Sequence, residues 1–394
     1  RHITKIYFSV ILAVLLSGKL SIAQTINDYL DKIEENNTQL KAARQLEDAE
    51  RIMANTGIYP APLSIEYGYF PDNNTVEARK QTSGVTQSFK FPTVYGNQRN
   101  VADAKAQLAN EKYREQRNEV LLKAQQQMIR MVLLKKKHRR LRDRLHHAEN
   151  QHKGMQKKFD KGDADVMEVS KTRVHLLRVK KDIRQIETNI SDVKKELQLL
   201  NGGEEIDFTA DEYPVFPDIS LDSIVKEKKE SLPLMNAAEE QRQIAGKQVK
   251  LTKSMNLPEF KVGYGSETVG NSSFKGIVMG ISVPLWSNKN KLRAAKAEHS
   301  FREIQLQQLS MEINTETNKE YEEHRSLRES MNEYRETLEE LGSVELLDRS
   351  LELGQISLLD YIQELQFYYD VYDEYLELEK EYYLTLSELY RYRL

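Results

Sequence analysis

The stretch GISVPLWSNKNK, residues 280–291, holds the only tryptophan of the chain, Trp286, two positions after Pro284 and directly before a segment that reads as helix. Leading into it, Ile277, Met279, Ile281 and Val283 alternate with Val278, Gly280 and Ser282, the period of a half-buried strand. An earlier stretch, SFKFPTVYGNQR at 88–99, has the same order: the alternating Val85, Gln87, Phe89 and Phe91, then Pro92, Tyr95 and a helical pattern. A strand that ends in proline, aromatic and helix occurs twice, and the fold turns on why.

Similarity extends outward from this pair. NTQLKAARQLEDAERI (37–52) corresponds to LPLMNAAEEQRQIAGK (232–247), PLSIEYGYF to PEFKVGYGS, and FDKGDADVMEV (159–169) to LELGQISLLDY (351–361), with Gly162 on Gly354 and Glu168 on Asp360. The correspondences keep one order at offsets of 191 to 197, as expected of a tandem duplication. Between the halves, LNGGEEIDFTADEYPVFPDIS has two glycines to end a helix and two prolines against its resumption. The expected organisation is a signal peptide at 1–23, a first helix–β-hairpin–helix repeat at 24–200, a linker at 201–220 and a second repeat at 221–394.

Each half holds one hairpin. Leu63, Ile65, Tyr67 and Tyr69 precede the polar turn PDNNTVEARK, and Phe260, Val262 and Tyr264 precede ETVGNSS. Strands of about 10 residues are expected, the length that crosses a bilayer when tilted. The remainder reads as long helix: no proline occurs from Asn100 to Lys158, a reach of roughly 90 Å. Ile183, Ile186, Ile190, Val193, Leu197 and Leu200 form one heptad seam; Leu365, Tyr368, Tyr372, Tyr375, Tyr382, Leu386 and Leu389 form another, interrupted by Glu379.

Composition supports an exported protein. Arg1, His2 and Lys5 precede the apolar IYFSVILAVLL, and Ser21 and Ala23 suit cleavage before Gln24. The apolar run is short for a bilayer span, which weakens the alternative of a membrane anchor. The chain has no cysteine, so neither disulfides nor a lipid-modified cysteine at position 24 is expected. Loss of Arg1, Lys5 and Lys19 would take the net charge from −3 to about −6, a balance that argues against a nucleic-acid partner.

Four strands cannot close a barrel, and open strand edges in lipid would leave backbone groups unpaired at several kcal/mol each. Strands in a membrane would have to be completed by other copies of the chain. The signal peptide, the doubled helix–hairpin–helix unit, FPTVYGN and VPLWSNKNK after the descending strands, and a glycine and acid at each tip resemble the TolC-like outer-membrane efflux proteins across essentially all of the mature chain. The resemblance implies a mainly α fold with a β-barrel portion, in which a homotrimer shares a twelve-stranded barrel continued by a periplasmic α-helical tunnel. It also implies an inner-membrane pump and a periplasmic adaptor as partners, with outer-membrane lipid around the barrel.

Carried over residue by residue, the resemblance places adaptor contacts at the tips, Gly162, Asp163, Gly354 and Gln355. It places a gate at Asp360, where a trimer would form a carboxylate ring that favours cations. A second family acid falls on Gln363 here, and Glu168 is the first-half equivalent of Asp360, suited to a polar link that holds the entrance shut. The alternative for Asp360 is an aspartate on a solvated helix face. Pro92, Tyr95, Pro284 and Trp286 are expected at the periplasmic membrane boundary, where aromatic rings are enriched.

The basic run KKKHRRLRDRLHH (135–147) is expected as a solvated face or a contact for an acidic partner. His138, His146 and His147 lack the i, i+4 pairing of a metal site, and ten methionines do not point to copper. Nucleophile–base pairs, phosphate loops and metal spacings are absent, so neither an enzyme nor a cofactor is expected. The function expected is an outer-membrane channel of a tripartite efflux or secretion system. The alternative is a periplasmic adaptor or scaffold bridging two membranes, which would not need two period-2 hairpins.

Overall fold

The structure is a computed structural model, and it describes residues 26–71, 79–286, 288–340 and 344–394. The expected signal peptide and most of the first hairpin turn lie outside these residues. Contacts group the chain into two compact units, one formed by residues up to Asn36, 123–216 and 327–384, the other by 37–122, 217–326 and 385–394.

The second unit carries the sheet. Helix α1 (Ile26–Asn36), which belongs to the first unit, gives way at Asn37 to α2 (Thr38–Ala54), whose first turn is capped by the Asn37 carboxamide oxygen accepting from the Leu40 N–H at 2.9 Å. Strands β1 (Ser64–Phe70) and β2 (Lys80–Phe89) follow, then α3 (Pro92–Asp160), whose proline stands at the first helical position, where a missing N–H costs nothing. In the second half, α5 (Leu221–Ser231) and α6 (Pro233–Ser254) lead into β3 (Glu259–Val269) and β4 (Ser272–Ser282), and α7 (Lys291–Glu340) leaves the sheet.

The two hairpins join into one antiparallel sheet in the order β1-β2-β3-β4. Ile65, Val85, Tyr264 and Ile277 oppose one another across all four strands, and Gln87, Val262 and Met279 form the next row. This face is apolar and open: Ile65, Ile277, Met279 and Ile281 are each about 70% exposed or more. The other face carries Gly68, Gly84, Gly263, Gly265, Gly276 and Gly280, with Lys80 paired to Glu267 at 2.9 Å. A Cβ on Gly263 would lie 2.3 Å from the Val85 carbonyl oxygen, so the backbone itself requires glycine there. Strand β1 has seven residues, shorter than the expected ten or so. Under the sheet Val94, Val101 and Leu251 pack with Phe91.

The first unit is helical. Helix α4 (Val166–Leu200) follows α3, and α8 (Val344–Glu352) and α9 (Leu358–Leu389) complete it. Buried Ala124, Met128, Ile129 and Val132 of α3 recur at helical spacing. Gly202 and Gly203 end α4 in left-handed geometry, with the Gly203 N–H donating to the Gln198 carbonyl and the Gly202 N–H to that of Leu199. The segment after them packs by its aromatic side chains: the Phe208 ring lies 5.0 Å from that of Tyr29, and Tyr213 stacks on Tyr383 at 4.3 Å.

The tyrosine stripe of α9 differs from the expected seam. Leu365, Leu386 and Leu389 are buried as expected, but the other large buried positions include Tyr361, Tyr369 and Leu376, while Tyr368, Tyr372, Tyr375 and Tyr382 flank them half-buried. A 3.5-residue repeat drifts about 20° per heptad against a straight helix, and here the stripe follows the straight helix. Glu379 interrupts nothing, because its carboxylate takes Lys136 Nζ at 2.7 Å.

Candidate functional site

The two tip turns, both in the helical unit, are built alike. At the end of α3 the Asp163 N–H donates to the Lys158 carbonyl and the Gly162 N–H to that of Phe159, each at 2.9 Å, with Gly162 at φ +83°. At the end of α8 the Gln355 N–H donates to Ser350 and the Gly354 N–H to Leu351, with Gly354 at φ +69°. Both are left-handed glycine caps that satisfy the last carbonyls of a helix. Asp163 and Gln355 are exposed beside them. Apolar side chains stand out around the turns as well: Val166 and Met167 in the first, Leu353 and Leu359 in the second.

The next helix begins in the same way on both sides. Glu168 reaches back to the Asp165 N–H at 3.0 Å while Asp165 accepts from the Glu168 N–H at 2.8 Å, a reciprocal capping box. Asp360 accepts from the Ser357 hydroxyl at 2.7 Å and from its N–H at 3.3 Å, and the Ser357 hydroxyl accepts from the Asp360 N–H. The two acids expected at a gate therefore set the first turn of the returning helices, each favoured there by the helix dipole. Asp360 and Gln363 are exposed and Glu168 is half-buried. Behind the second tip, Tyr361 is fully buried and donates to Asp348 at 2.6 Å, and burial raises its pKa far above that of a free tyrosine.

The basic run departs from expectation. Lys136 pairs with Glu379 at 2.7 Å, Lys137 with Glu377 at 2.5 Å and Arg139 with Asp211 at 3.1 Å. Arg144 holds Asp373 with two bonds of 2.9 Å, donates to the Tyr369 carbonyl and lies over the Tyr369 ring at 4.1 Å. Lys135 donates to the Ala210 carbonyl. The run is thus a solvated face only in part: Lys136, Lys137 and Arg144 pair their charge inside the helical unit, while Arg139, Arg140, Arg142 and His146 remain exposed. Of its histidines, His138 lies 3.7 Å from Glu187, His147 lies 3.6 Å from Asp348 and His146 bonds Asn150.

At the sheet end from which all four long connections leave, the two copies diverge. Pro92 opens α3 at once, so Tyr95 stands in a helical first turn, half-buried, its hydroxyl accepting from the Lys90 N–H at 3.0 Å. After Pro284 the chain turns instead: α7 begins only at Lys291, Trp286 is 79% exposed, and Asn288 ties the turn to the Met255 carbonyl at 2.8 Å. Asn290, at φ +67°, closes it. A cavity of about 460 Å³ opens there between Phe91, Val94, Leu257, Pro284 and Trp286.

Among the described residues no helix is long and apolar enough to cross a membrane. No protein-family model and no curated protein matches the sequence. Solved structures do match over nearly the whole chain. A membrane protein from Pseudomonas aeruginosa is similar at a TM-score of 0.77 with 13% identity, covering 93% of each chain. The CmeC outer membrane channel of Campylobacter jejuni is similar at 0.73 with 16% identity, covering 93% of this chain and 85% of its own. The open state of the Neisseria gonorrhoeae MtrE outer membrane channel is similar at 0.67 with 12% identity, covering 93% and 88%. The chain has the fold of these channels, as the resemblance to TolC-like proteins predicted.

Proposed function

We propose that the chain is one protomer of a trimeric outer-membrane export channel, serving a tripartite efflux or secretion system and passing on what an inner-membrane pump loads. The observation that carries this is the sheet: four strands, two unpaired edges and one face of exposed Ile65, Val262, Ile277, Met279 and Ile281. Such a face and such edges are untenable in water and are both satisfied when three copies close twelve strands in lipid. The similarity to outer-membrane channels supports the same reading.

In this reading the glycine-rich face lines the bore, and Pro92, Tyr95, Pro284 and Trp286 mark the periplasmic boundary of the membrane. The exposed turns at Gly162, Asp163, Gly354 and Gln355 receive the adaptor. Asp360 forms the acidic ring of the entrance, with Gln363 beside it and Glu168 fastening the neighbouring helix start. The chain reads as two copies of one unit joined by 201–220. Reconstitution tests the whole: the purified protein should need detergent, cross-link as a trimer and give discrete conductance in planar bilayers. A monomer that stays soluble without detergent would end the proposal. Asp360→Asn preserves an acceptor for Ser357 while removing charge; unchanged cation preference in that variant would remove Asp360 from the gate.

A further inference from the structure

At the sheet end of α6 and α7 stands a second basic cluster, in a different state from the first. Lys247, Lys250 and Lys253 occupy the last two turns of α6, and Lys291, Arg293 and Lys296 the first two of α7. All lie within about 11 Å of the helix ends along the axis. Five are exposed and Lys247 is half-buried. Among the described residues none of the six forms an ion pair; Lys291 bonds only the neutral Asn288. Of the nearby acids, Glu239 is engaged with Arg242 at 2.6 Å and Glu298 with Arg302 at 2.9 Å, Glu303 lies 3.8 Å from His299, and Glu240 acts electrostatically on Lys247 without forming an ion pair with it.

Lys247, Lys250 and Lys296 converge on a groove of about 600 Å³ between the two helices, and no carboxylate lines it. Adjacent in the chain, Val283, Leu285 and Trp286 are all more than half exposed and continue the apolar face of the sheet past Ile281. Cations within about two helical turns of an exposed apolar rim and a tryptophan make the composition of a headgroup contact: long lysine stems can reach toward the apolar edge while the ammonium groups meet phosphate.

We propose that this groove binds the phosphate headgroups of anionic phospholipid in the membrane leaflet nearest the helices, and so fixes the depth of the sheet in the bilayer. The inference rests on the sheet being a membrane barrel. Juxtamembrane cations each contribute about a fivefold preference for an anionic surface. Removing Lys247, Lys250 and Lys296 together should cost up to about a hundredfold, and a loss of tenfold is readily measured.

Trp286, the only tryptophan, is a built-in reporter. The full chain is reconstituted in vesicles that mix phosphatidylcholine with phosphatidylglycerol, one of them brominated at a time. Quenching of Trp286 by brominated phosphatidylglycerol should exceed its mole fraction severalfold. In the variant Lys247→Gln, Lys250→Gln, Lys296→Gln, checked for trimer formation, it should fall markedly toward the mole fraction. Equal quenching by both lipids in the unaltered protein overturns the inference, as does a variant with undiminished preference. Loss of the preference on adding inorganic phosphate at constant ionic strength would make the groove a site for free anions and overturn it too. If neither lipid quenches and the variant shifts the charge selectivity of the pore, the groove faces the water path and the lipid inference fails. Conductance is recorded in the same vesicles: none in any lipid is failure of the channel reading, whereas conductance without lipid preference is failure of this inference alone.

Discussion

Residues 135–147 of α3 and the lysines at the sheet ends of α6 and α7 are both dense in positive charge, yet their surroundings have little in common. In the first, Lys136, Lys137, Arg139 and Arg144 each meet a carboxylate from a segment 70 or more residues away in the chain, and Arg144 is 8% exposed. In the second, Lys250, Lys253, Lys291 and Lys296 are exposed and form no ion pair among the described residues, and no carboxylate lines the groove at Lys250 and Lys296. Charge density alone therefore says nothing about use. What decides is whether the fold supplies counter-charges from distant segments, and a cluster left without them is the one available to something outside the chain.

The contrast can be broken first at Arg144. Arg144→Ala removes the two bonds to Asp373, the bond to the Tyr369 carbonyl and the stacking on Tyr369, and leaves Asp373 partly buried without a partner. It should cost about 3 kcal/mol, read as a lowered melting temperature of the helical unit in detergent. Salt separates the regions next. At about 1 M the Debye length is near 3 Å, so the lipid preference reported by Trp286 should largely vanish while the melting temperature changes little.

Acid should act in the opposite sense. Burial pushes the Glu377 carboxyl up, but hydrogen bonds from Lys137 and Lys380 outweigh it and hold the net value below 4.5. Its folded pKa is depressed, so its stabilisation is complete above the ordinary value of 4.5 and declines as pH falls through the folded one. A pH series of melting temperatures should show this decline, and Glu377→Gln should flatten it. The lipid preference reported by Trp286 should hold over the same range. Smallest of all, Lys250→Ala should move the melting temperature by less than the equivalent of about 0.5 kcal/mol, because nothing in the protein depends on it.

Local signals in the sequence were reliable where the cause of structure is local. The alternation of Ile277, Met279 and Ile281 becomes one sheet face, and the glycines at 162 and 354 become left-handed caps. What the sequence did not reveal depends on partners far along the chain. The pairing of Lys136 with Glu379 spans 243 positions, and no pattern within 135–147 announces it. Tyr95 and Trp286 look equivalent in aligned stretches, yet a helix beginning at Pro92 buries half of the first ring while the turn before Lys291 exposes the second. The capping boxes were legible in principle from Asp165 with Glu168 and Ser357 with Asp360, three residues apart before apolar runs.

The glycines of the polar sheet face are not alike in the room they leave. At Gly263 an added methyl would strike the Val85 carbonyl and Thr86, and at Gly68 it would strike Thr82 and Phe70, whereas at Gly276 nothing lies within 4 Å. Because the chain has no cysteine, Gly276→Cys would place a unique thiol on that face without displacing a strand. Reagents of graded size attached there would act as a caliper on whatever passes along the face, in a protein that otherwise offers no thiol.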